Sequence, residues 1–183
     1  TRFDASGLIQ SVANVQPTTG ASVATAGNVN VAFDAGTVLL NGLQLDASAF
    51  VDGRNNRSDV GGNATGGLAE LLVRGANVSA GTLILDSSAR GGIANLTAGN
   101  AVAGTGRINV SVGSLQALDT TIAANAFGGF SPSQGTLVSN GSALGGTIDV
   151  NVADNFNVSG SLTLRASAAG NTDEAAGRGS ANG

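Results

Sequence analysis

The chain lacks cysteine, histidine, lysine, methionine, tryptophan and tyrosine, and only two of its 183 residues are proline. Without cysteine it can form neither a disulfide scaffold nor a thiolate metal site. Without histidine, lysine and tyrosine it cannot build a Ser–His relay, a Schiff-base lysine or a phosphate-loop lysine. Carboxylates and arginines are the charged groups that remain, so most kinds of catalytic site are excluded.

Charge is scarce and slightly negative. Only 11% of the residues are charged, all eight cations are arginines, and the formal net charge is −4. A nucleic-acid binder needs clustered positive charge, so this class is disfavoured. No apolar run approaches the ~20 residues of a membrane helix, and we expect no insertion into a membrane. Because the chain opens with neither Met nor a secretory leader, we interpret it as an excerpt of a longer protein.

The chain nevertheless contains enough apolar residues to fold. Val, Leu, Ile and Phe supply 46 of the 183 residues, which is above the roughly 20% below which a chain cannot bury a core. Glycine contributes 29 residues, and much of the remainder is Ala, Ser, Thr and Asn. The length fits a single domain.

An internal repeat of about 40 residues organises the sequence. With Gly27, Gly67, Gly106 and Gly146 as origins, the copies are spaced by 40, 39 and 40 residues. Each copy contains two segments in which apolar and polar residues alternate, and this alternation predicts half-buried β-strands. Polar, glycine-rich stretches between them predict turns and loops. We therefore divide residues 1–183, taken as one solenoid segment, into a partial copy 1–26 and the copies 27–66, 67–105, 106–145 and 146–183.

Short strands in tandem copies cannot bury their apolar faces alone, whereas copies stacked in register bury a continuous core. The pattern therefore predicts an all-β fold, a parallel β-solenoid. Small residues that fit a narrow corner of its interior are Ala47, Ser87, Ala126 and Ala166. The residues predicted to be buried are Val29, Val31, Phe33, Leu43, Leu45, Leu83, Leu85, Ile108, Val110, Val112, Ile122, Ile148, Val150, Val152, Leu162 and Leu164.

The spacing alone leaves open whether one copy makes one turn of the solenoid or two. Repulsion between Asp46 and Asp86, which occupy equivalent positions, favours two turns, but it is small for two hydrated charges. The stretch from residue 50 to 66 has too few apolar residues to line a further half-turn of core. We therefore predict one turn per copy, with Asp46 directly beneath Asp86 and the polar stretch projecting outward.

The repeats resemble a known kind of surface protein. The pattern Gly-Gly-Thr-x-x-Val-x-Val, followed by Gly-Ser-Leu-x-Leu-x-Ala-Ser-Ala, occurs at residues 145–152 and 160–168. It resembles the passenger repeats of filamentous-haemagglutinin-like or autotransporter-like surface proteins of Gram-negative bacteria, and the likeness extends over residues 3–170. The resemblance implies a right-handed parallel β-helix that is exported across the outer membrane and serves in adhesive or matrix-forming fibres.

One loop is a candidate calcium site. Asp52, Asn55, Asn56 and Asp59 form the only dense cluster of oxygen ligands. Their spacing does not match an EF-hand loop, and two arginines within the same loop would repel a cation. We therefore predict a solvated loop there in preference to a metal site.

The remaining candidates have ordinary structural interpretations. Asp46, Asp86 and Asp149 lie at outward strand positions and are interpreted as solvated faces. Phe127 and Phe130 are expected to pack under a loop, with a small exposed patch that contacts a partner as the alternative. We predict no catalytic residue, no cofactor and no enzymatic activity.

The sequence favours a structural role outside the cell. We expect a solenoid shaft of a secreted or surface-attached bacterial adhesin or extracellular filament. Its expected partners are flanking repeats of the same chain or further copies stacked end to end, with a host or matrix glycan or protein as a further partner. The alternatives are a glycan- or protein-binding module on the solenoid loops, or a polysaccharide-active β-helix enzyme.

Overall fold

The structure is a parallel β-solenoid, as the repeat predicts. A computed structural model describes residues 2–15, 22–51, 59–131, 139–170 and 181–182. Within these ranges there is no helix, and neighbouring strands are parallel in each of three sheets. The right-handed sense of the coil stays a prediction.

The three sheets form the walls of the coil, and their strands are numbered here in chain order. The first sheet contains β1 (Arg2–Gln10), β4 (Val29–Phe33), β5 (Gly36–Asp46), β8 (Leu68–Asp86), β11 (Thr105–Ala123), β14 (Thr147–Val152), β15 (Asn155–Val158) and β16 (Leu162–Arg165). The second sheet contains β2 (Ala13–Val15), β6 (Ala49–Val51), β9 (Ala89–Arg90), β12 (Ala126–Phe127) and β17 (Ala168–Ala169). The third contains β3 (Val23–Thr25), β7 (Asn63–Thr65), β10 (Ala101–Val102), β13 (Ala143–Leu144) and β18 (Ala181–Asn182).

Each copy of the repeat makes one turn of the coil. The chain passes through β5, β6 and β7 and then returns to the first sheet as β8, which pairs directly with β5. Asp46 and Asp86 are register partners in this pair. The prediction of one turn per copy is therefore confirmed.

The corner between the first and second sheets is built by aspartate and serine. Asp46 Oδ1 accepts hydrogen bonds from the Ser48 backbone N–H at 3.0 Å and from its hydroxyl at 2.6 Å. Asp86 Oδ1 accepts one from the Ser88 backbone N–H at 2.9 Å. An aspartate that bonds the backbone two residues on stabilises a turn. The interpretation of these two aspartates as merely solvated faces is therefore wrong.

The register of the copy that begins at residue 106 differs from the prediction by two residues. Thr120, rather than Ile122, pairs with Leu83. Adjacent turns are spaced by 40, 37 and 42 residues. A shift of two residues leaves every side chain on the same face of its strand, so the alternation that predicts the strands does not detect it. The residues that align across the first sheet are Val29, Ala69, Gly106 and Ile148.

The same shift affects the predicted corner of small residues. Ala126 aligns with Ala89 rather than with Ser87. In the adjacent turn, the corner residue that aligns with Ser87 is Ala124, because Ala123 is the register partner of Asp86. Ala124 and Ser87 are both fully buried, so the corner is as narrow as the sequence indicates.

The predicted burial of the inward-facing residues is confirmed in the middle turns. The largest cluster of buried apolar side chains lies against the first sheet. A second cluster, made almost entirely of alanines, fills the space between the two shorter sheets. Val31, Phe33 and Ile148 are half-buried. Among the residues predicted to be buried, the following are buried in the structure: Val29, Leu43, Leu45, Leu83, Leu85, Ile108, Val110 and Ile122.

Burial is wrongly predicted for the last turn. Val150 pairs with Ile108, and Leu162 pairs with Thr120, so both align with fully buried residues. They are nevertheless 36% and 51% exposed, because no further turn within the described residues covers them. The residues affected are Val150, Val152, Leu162 and Leu164.

Val112 is also exposed, at 59%, although the alternation predicts its burial. The pairing of β11 with β8 is irregular between Val110 and Gly113. Gly113 has φ of 98°, and Gly75 in the neighbouring strand has φ of 134°, a conformation that glycine adopts without steric cost. An irregularity of this kind bends the strand and redirects a side chain, which explains why Val112 leaves the inward face.

Thr120 is a polar residue in the apolar core, and its replacement by valine is expected to stabilise the protein. Its side chain is fully buried, and Oγ1 has no hydrogen-bond partner in the described part of the chain. An unpaired buried hydroxyl costs roughly 1–3 kcal/mol. We expect Thr120→Val, which preserves the shape, to raise the free energy of unfolding in urea by about 1 kcal/mol. A less stable variant would show that the hydroxyl is bonded and would contradict this prediction.

Candidate functional site

Loops leave the coil between the second and third sheets and stack on one another. They connect β6 to β7, β9 to β10 and β12 to β13. Isolated parallel bridges join Val60 to Thr97 and Thr97 to Ser139, one from each loop. The bridges show that these loops stack in adjacent turns, whereas the predicted outward excursion of residues 50–66 falls partly outside the described residues and stays a prediction.

Glycines close the base of these loops, and we call Gly62, Gly92, Gly99, Gly129 and Gly141 the glycine clasp. Its backbone hydrogen bonds run from Gly92 N–H to Gly62 O at 2.9 Å, from Gly99 N–H to Gly92 O at 2.9 Å, from Gly129 N–H to Gly99 O at 2.9 Å and from Gly141 N–H to Gly129 O at 3.0 Å. A Cβ on Gly99 would overlap the carbonyl oxygen of Gly62. The backbones approach this closely because side chains are absent.

A groove of about 440 Å³ lies where the outward face of the second sheet meets the loops. Three successive turns line it: Arg90 and Ile93, then Phe127 and Phe130, then Ala169. Phe127 is 45% exposed and Phe130 is half-buried. The expectation that both rings pack under a loop is therefore wrong for Phe127, and an exposed patch is present, whereas its contact with a partner stays a prediction.

The column of outward-facing residues that contributes to this groove contains aromatic, charged and small side chains. Phe50 pairs with Arg90, Arg90 with Phe127, and Phe127 with Ala169. Sequence reasoning singled out the two phenylalanines of the groove but missed Arg90. The sequence did contain a signal for its position in the repeat. Arg90 lies two residues after Ser88, as Phe50 lies two residues after Ser48. A single arginine at an outward position is ordinary in sequence, so only the adjacent turns reveal its surroundings.

Two other arginines, Arg74 and Arg107, form ion pairs with carboxylates in adjacent turns. Arg74 Nε lies 2.7 Å from Asp34 Oδ1. Arg107 lies between two carboxylates, with Nη1 3.4 Å from Glu70 Oε1 and Nε 3.0 Å from Asp149 Oδ2. Asp149 is thus an ion-pair partner rather than a merely solvated face, which corrects the expectation from sequence.

Polar side chains also link successive turns through a recurring contact. An asparagine or aspartate oxygen in one turn accepts hydrogen bonds from a serine in the next. The Asp119 carboxylate accepts one from the Ser161 hydroxyl at 2.7 Å and one from its backbone N–H at 2.9 Å. These bonds, the hydroxyl first, lower the pKa of Asp119 below its ordinary value. Both the hydroxyl and the backbone N–H donate in Asp119–Ser161, Asn100–Ser142 and Asn125–Ser167, and the hydroxyl alone donates in Asn77–Ser114.

The candidate calcium loop falls largely outside the described residues. Asp52, Asn55 and Asn56 lie there, whereas Asp59 is described and exposed. The Asp59 carbonyl accepts hydrogen bonds from the backbone N–H groups of Leu96 and Thr97 at 3.1 and 2.9 Å. Among the described residues, no group of three or more carboxylates lies close enough together to hold a metal ion. The solvated loop stays a prediction.

The fold defines a β-solenoid repeat protein with parallel sheets. Comparisons with protein-family models, with curated proteins and with solved structures find no match to this chain. The resemblance to filamentous-haemagglutinin-like repeats therefore stays a prediction. Within the described ranges, the structure contains no helix long and apolar enough to cross a membrane.

Proposed function

We propose that this chain is part of a structural shaft in a secreted or surface-attached bacterial adhesin or extracellular filament. The observation that carries the proposal is a core that continues from turn to turn and, within the described residues, ends in an apolar face that no further turn covers. Such a coil acts mechanically, because each added turn extends it by the ~4.8 Å spacing of neighbouring strands. Its role is to hold binding regions away from the surface to which it is attached.

The contacts between turns support a stiff rod. Two strands of 19 residues, β8 and β11, pair along almost their whole length. Between turns, the serine contacts and the ion pairs of Arg107 add side-chain bonds to the backbone ladder. A repeat protein in which every turn contacts its neighbours gains stability with each added turn. This architecture suits a spacer better than a hinged module.

The surface carboxylates support a role without catalysis. Asp46 and Asp86 are register partners in adjacent turns and are therefore the first pair to consider for glycoside hydrolysis, which uses two carboxylates on either side of the scissile bond. Each, however, accepts a hydrogen bond from the backbone N–H of the serine two residues after it, Ser48 or Ser88. We therefore assign both carboxylates to the corner of the coil.

The exposed apolar side chains of the last described turn support a proposal for the first partner of the shaft. The apolar residues of β14 and β16 lie in the columns of the core but are exposed. Unpaired strand edges and exposed apolar columns favour the addition of another strand. We propose that a further turn of the same chain or the end of a second copy covers them.

The 183-residue chain is therefore expected to associate end to end at micromolar concentration, as measured by sedimentation velocity. The double variant Val150→Lys, Leu162→Lys should be monomeric, because it places two charges on the face that stacks. The control is Leu118→Lys, because Leu118 is exposed to a similar degree, 54%, but lies on the side wall in β11. A wild-type chain that remains a soluble monomer, or a control that dissociates equally, would contradict the shaft.

A further inference from the structure

The groove beside the second sheet is a preformed cavity. Gly91 N–H donates to Phe127 O at 2.9 Å, and Gly128 N–H donates to Ala169 O at 2.9 Å, so backbone bonds join all three turns at the groove. Ala94 N–H donates to Phe130 O at 3.3 Å and links the two loops. The volume, about 440 Å³, lies in the ~300–1,000 Å³ range of small-molecule sites. A ligand would therefore enter with little reorganisation of the backbone.

Among the described residues, the only charged side chain that lines the groove is that of Arg90. Its guanidinium makes no ion pair within the described part of the chain, whereas Arg74 and Arg107 both pair with carboxylates. The outward neighbours of Arg90 in its column are Phe50 and Phe127, neither of which is acidic. An exposed guanidinium at the edge of an apolar cavity attracts an anion and pairs best with a planar one.

The rest of the lining is apolar and leaves one ring accessible. Phe127 is exposed, and its register partner Ala169 carries only a methyl group, so the space beside Phe127 stays open. Phe130 and Ile93 complete the apolar lining. Such a surface fits the flat, apolar face of a ring rather than a fully hydrated ion.

We propose that this groove binds a carboxylate-bearing six-membered ring, with the carboxylate on Arg90 and the ring against Phe127. Arg90 is the one charged side chain among the described residues that line the groove, so the site matches a ligand that carries one negative charge there and disfavours a phosphate or sulfate cluster. Two sources have this chemistry: a uronic acid unit of an acidic saccharide and an aromatic acid. The site is separate from the uncovered end, and this proposal does not depend on the shaft function.

The test uses the 183-residue chain and isothermal titration with trigalacturonate, galactotriose and benzoate. We expect trigalacturonate or benzoate to bind and neutral galactotriose not to bind. Arg90→Gln should weaken binding by about tenfold or more, since it removes a charge-assisted hydrogen-bonded pair. Its matched control is Arg165→Gln, an exposed arginine in β16 that also lacks an ion pair in the described residues but lies outside the groove. Ala169→Phe should abolish binding by filling the cavity.

Each result of the titrations either supports or overturns the proposed site. Loss of binding in Arg90→Gln and Ala169→Phe, with Arg165→Gln unchanged, supports the site, and the tighter of the two acids identifies the source. The proposal is overturned if neither acid binds, if galactotriose binds as tightly as trigalacturonate, or if both arginine variants weaken binding equally. Melting temperatures within error of the wild type establish that the Arg90→Gln and Arg165→Gln variants are folded.

Discussion

Replacing Leu83 with alanine is expected to lower the free energy of unfolding by about 2–4 kcal/mol, the usual cost of a cavity in a packed core. Leu83 is fully buried and lies between Leu43 and Thr120 in one column of the first sheet. Backbone hydrogen bonds join the neighbouring turns along most of this sheet, so the turns cannot collapse into the space that the substitution leaves. Denaturation in urea, followed by circular dichroism, measures the difference.

The control for this prediction is Leu118→Ala. Leu118 belongs to the same sheet, but its side chain is 54% exposed, so truncation should change the free energy of unfolding by no more than about 0.5 kcal/mol. Equal losses in both variants, or a Leu83→Ala melting curve that overlays the wild type, would contradict the assignment of Leu83 to the core column.

Gly99→Ala is expected to destabilise the chain by about 3 kcal/mol, at the upper end of the range for overpacking. Its Cβ would overlap the carbonyl oxygen of Gly62 and lie 2.9 Å from the backbone nitrogen of Gly92. Both obstacles are backbone atoms, which cannot rotate away as a side chain would. The substitution would force apart the turns that the glycine clasp holds together and would break its hydrogen bonds.

Gly42→Ala separates this steric effect from the general effect of losing a glycine. A Cβ at Gly42 would lie 3.6 Å from the Thr82 carbonyl oxygen, an ordinary contact. Alanine there should be neutral or stabilise by up to about 1 kcal/mol, because it restricts the unfolded chain. If thermal melts show Gly99→Ala to be as stable as Gly42→Ala, the close approach of backbones in the clasp is disproved.

The strands and their inward faces were predictable because alternation is a local property. A strand with apolar residues at every second position has one face that must be buried, whatever lies beside it. Ile108 and Val110 are fully buried, whereas Asn109 between them is only half-buried. The number of turns per repeat followed from the scarcity of apolar residues between positions 50 and 66.

The register between turns was not predictable in the same way. The copies were expected at spacings of 40, 39 and 40 residues, but the structure aligns them at 40, 37 and 42. The loops between the sheets absorb these differences in length without changing which face a side chain occupies. Thr120 therefore enters a column of leucines that the sequence assigned to Ile122.

The composition of the groove was even less predictable from the sequence, because it depends on contacts between turns. Phe127 and Phe130 could be singled out from their unusual position in the repeat, but Arg90 belongs to the preceding turn and becomes their neighbour only through the pairing of β9 with β12. The ion pairs of Arg107 arise in the same way, from residues one turn before and one turn after it. Contacts between turns join residues that are distant in sequence.

The sequence by itself determined that this chain forms strands, which side chains of the regular strands point inward, with Val112 as the exception, and that each copy of about 40 residues makes one turn. These properties depend on the alternation of apolar and polar residues within a few positions. Only the tertiary structure decided which residue of one turn meets which residue of the next, which apolar residues of the last described turn are exposed and what lines the groove. The physical reason is that a displacement by two residues preserves the face of every side chain, so only packing against the adjacent turns selects one register among those that the pattern allows.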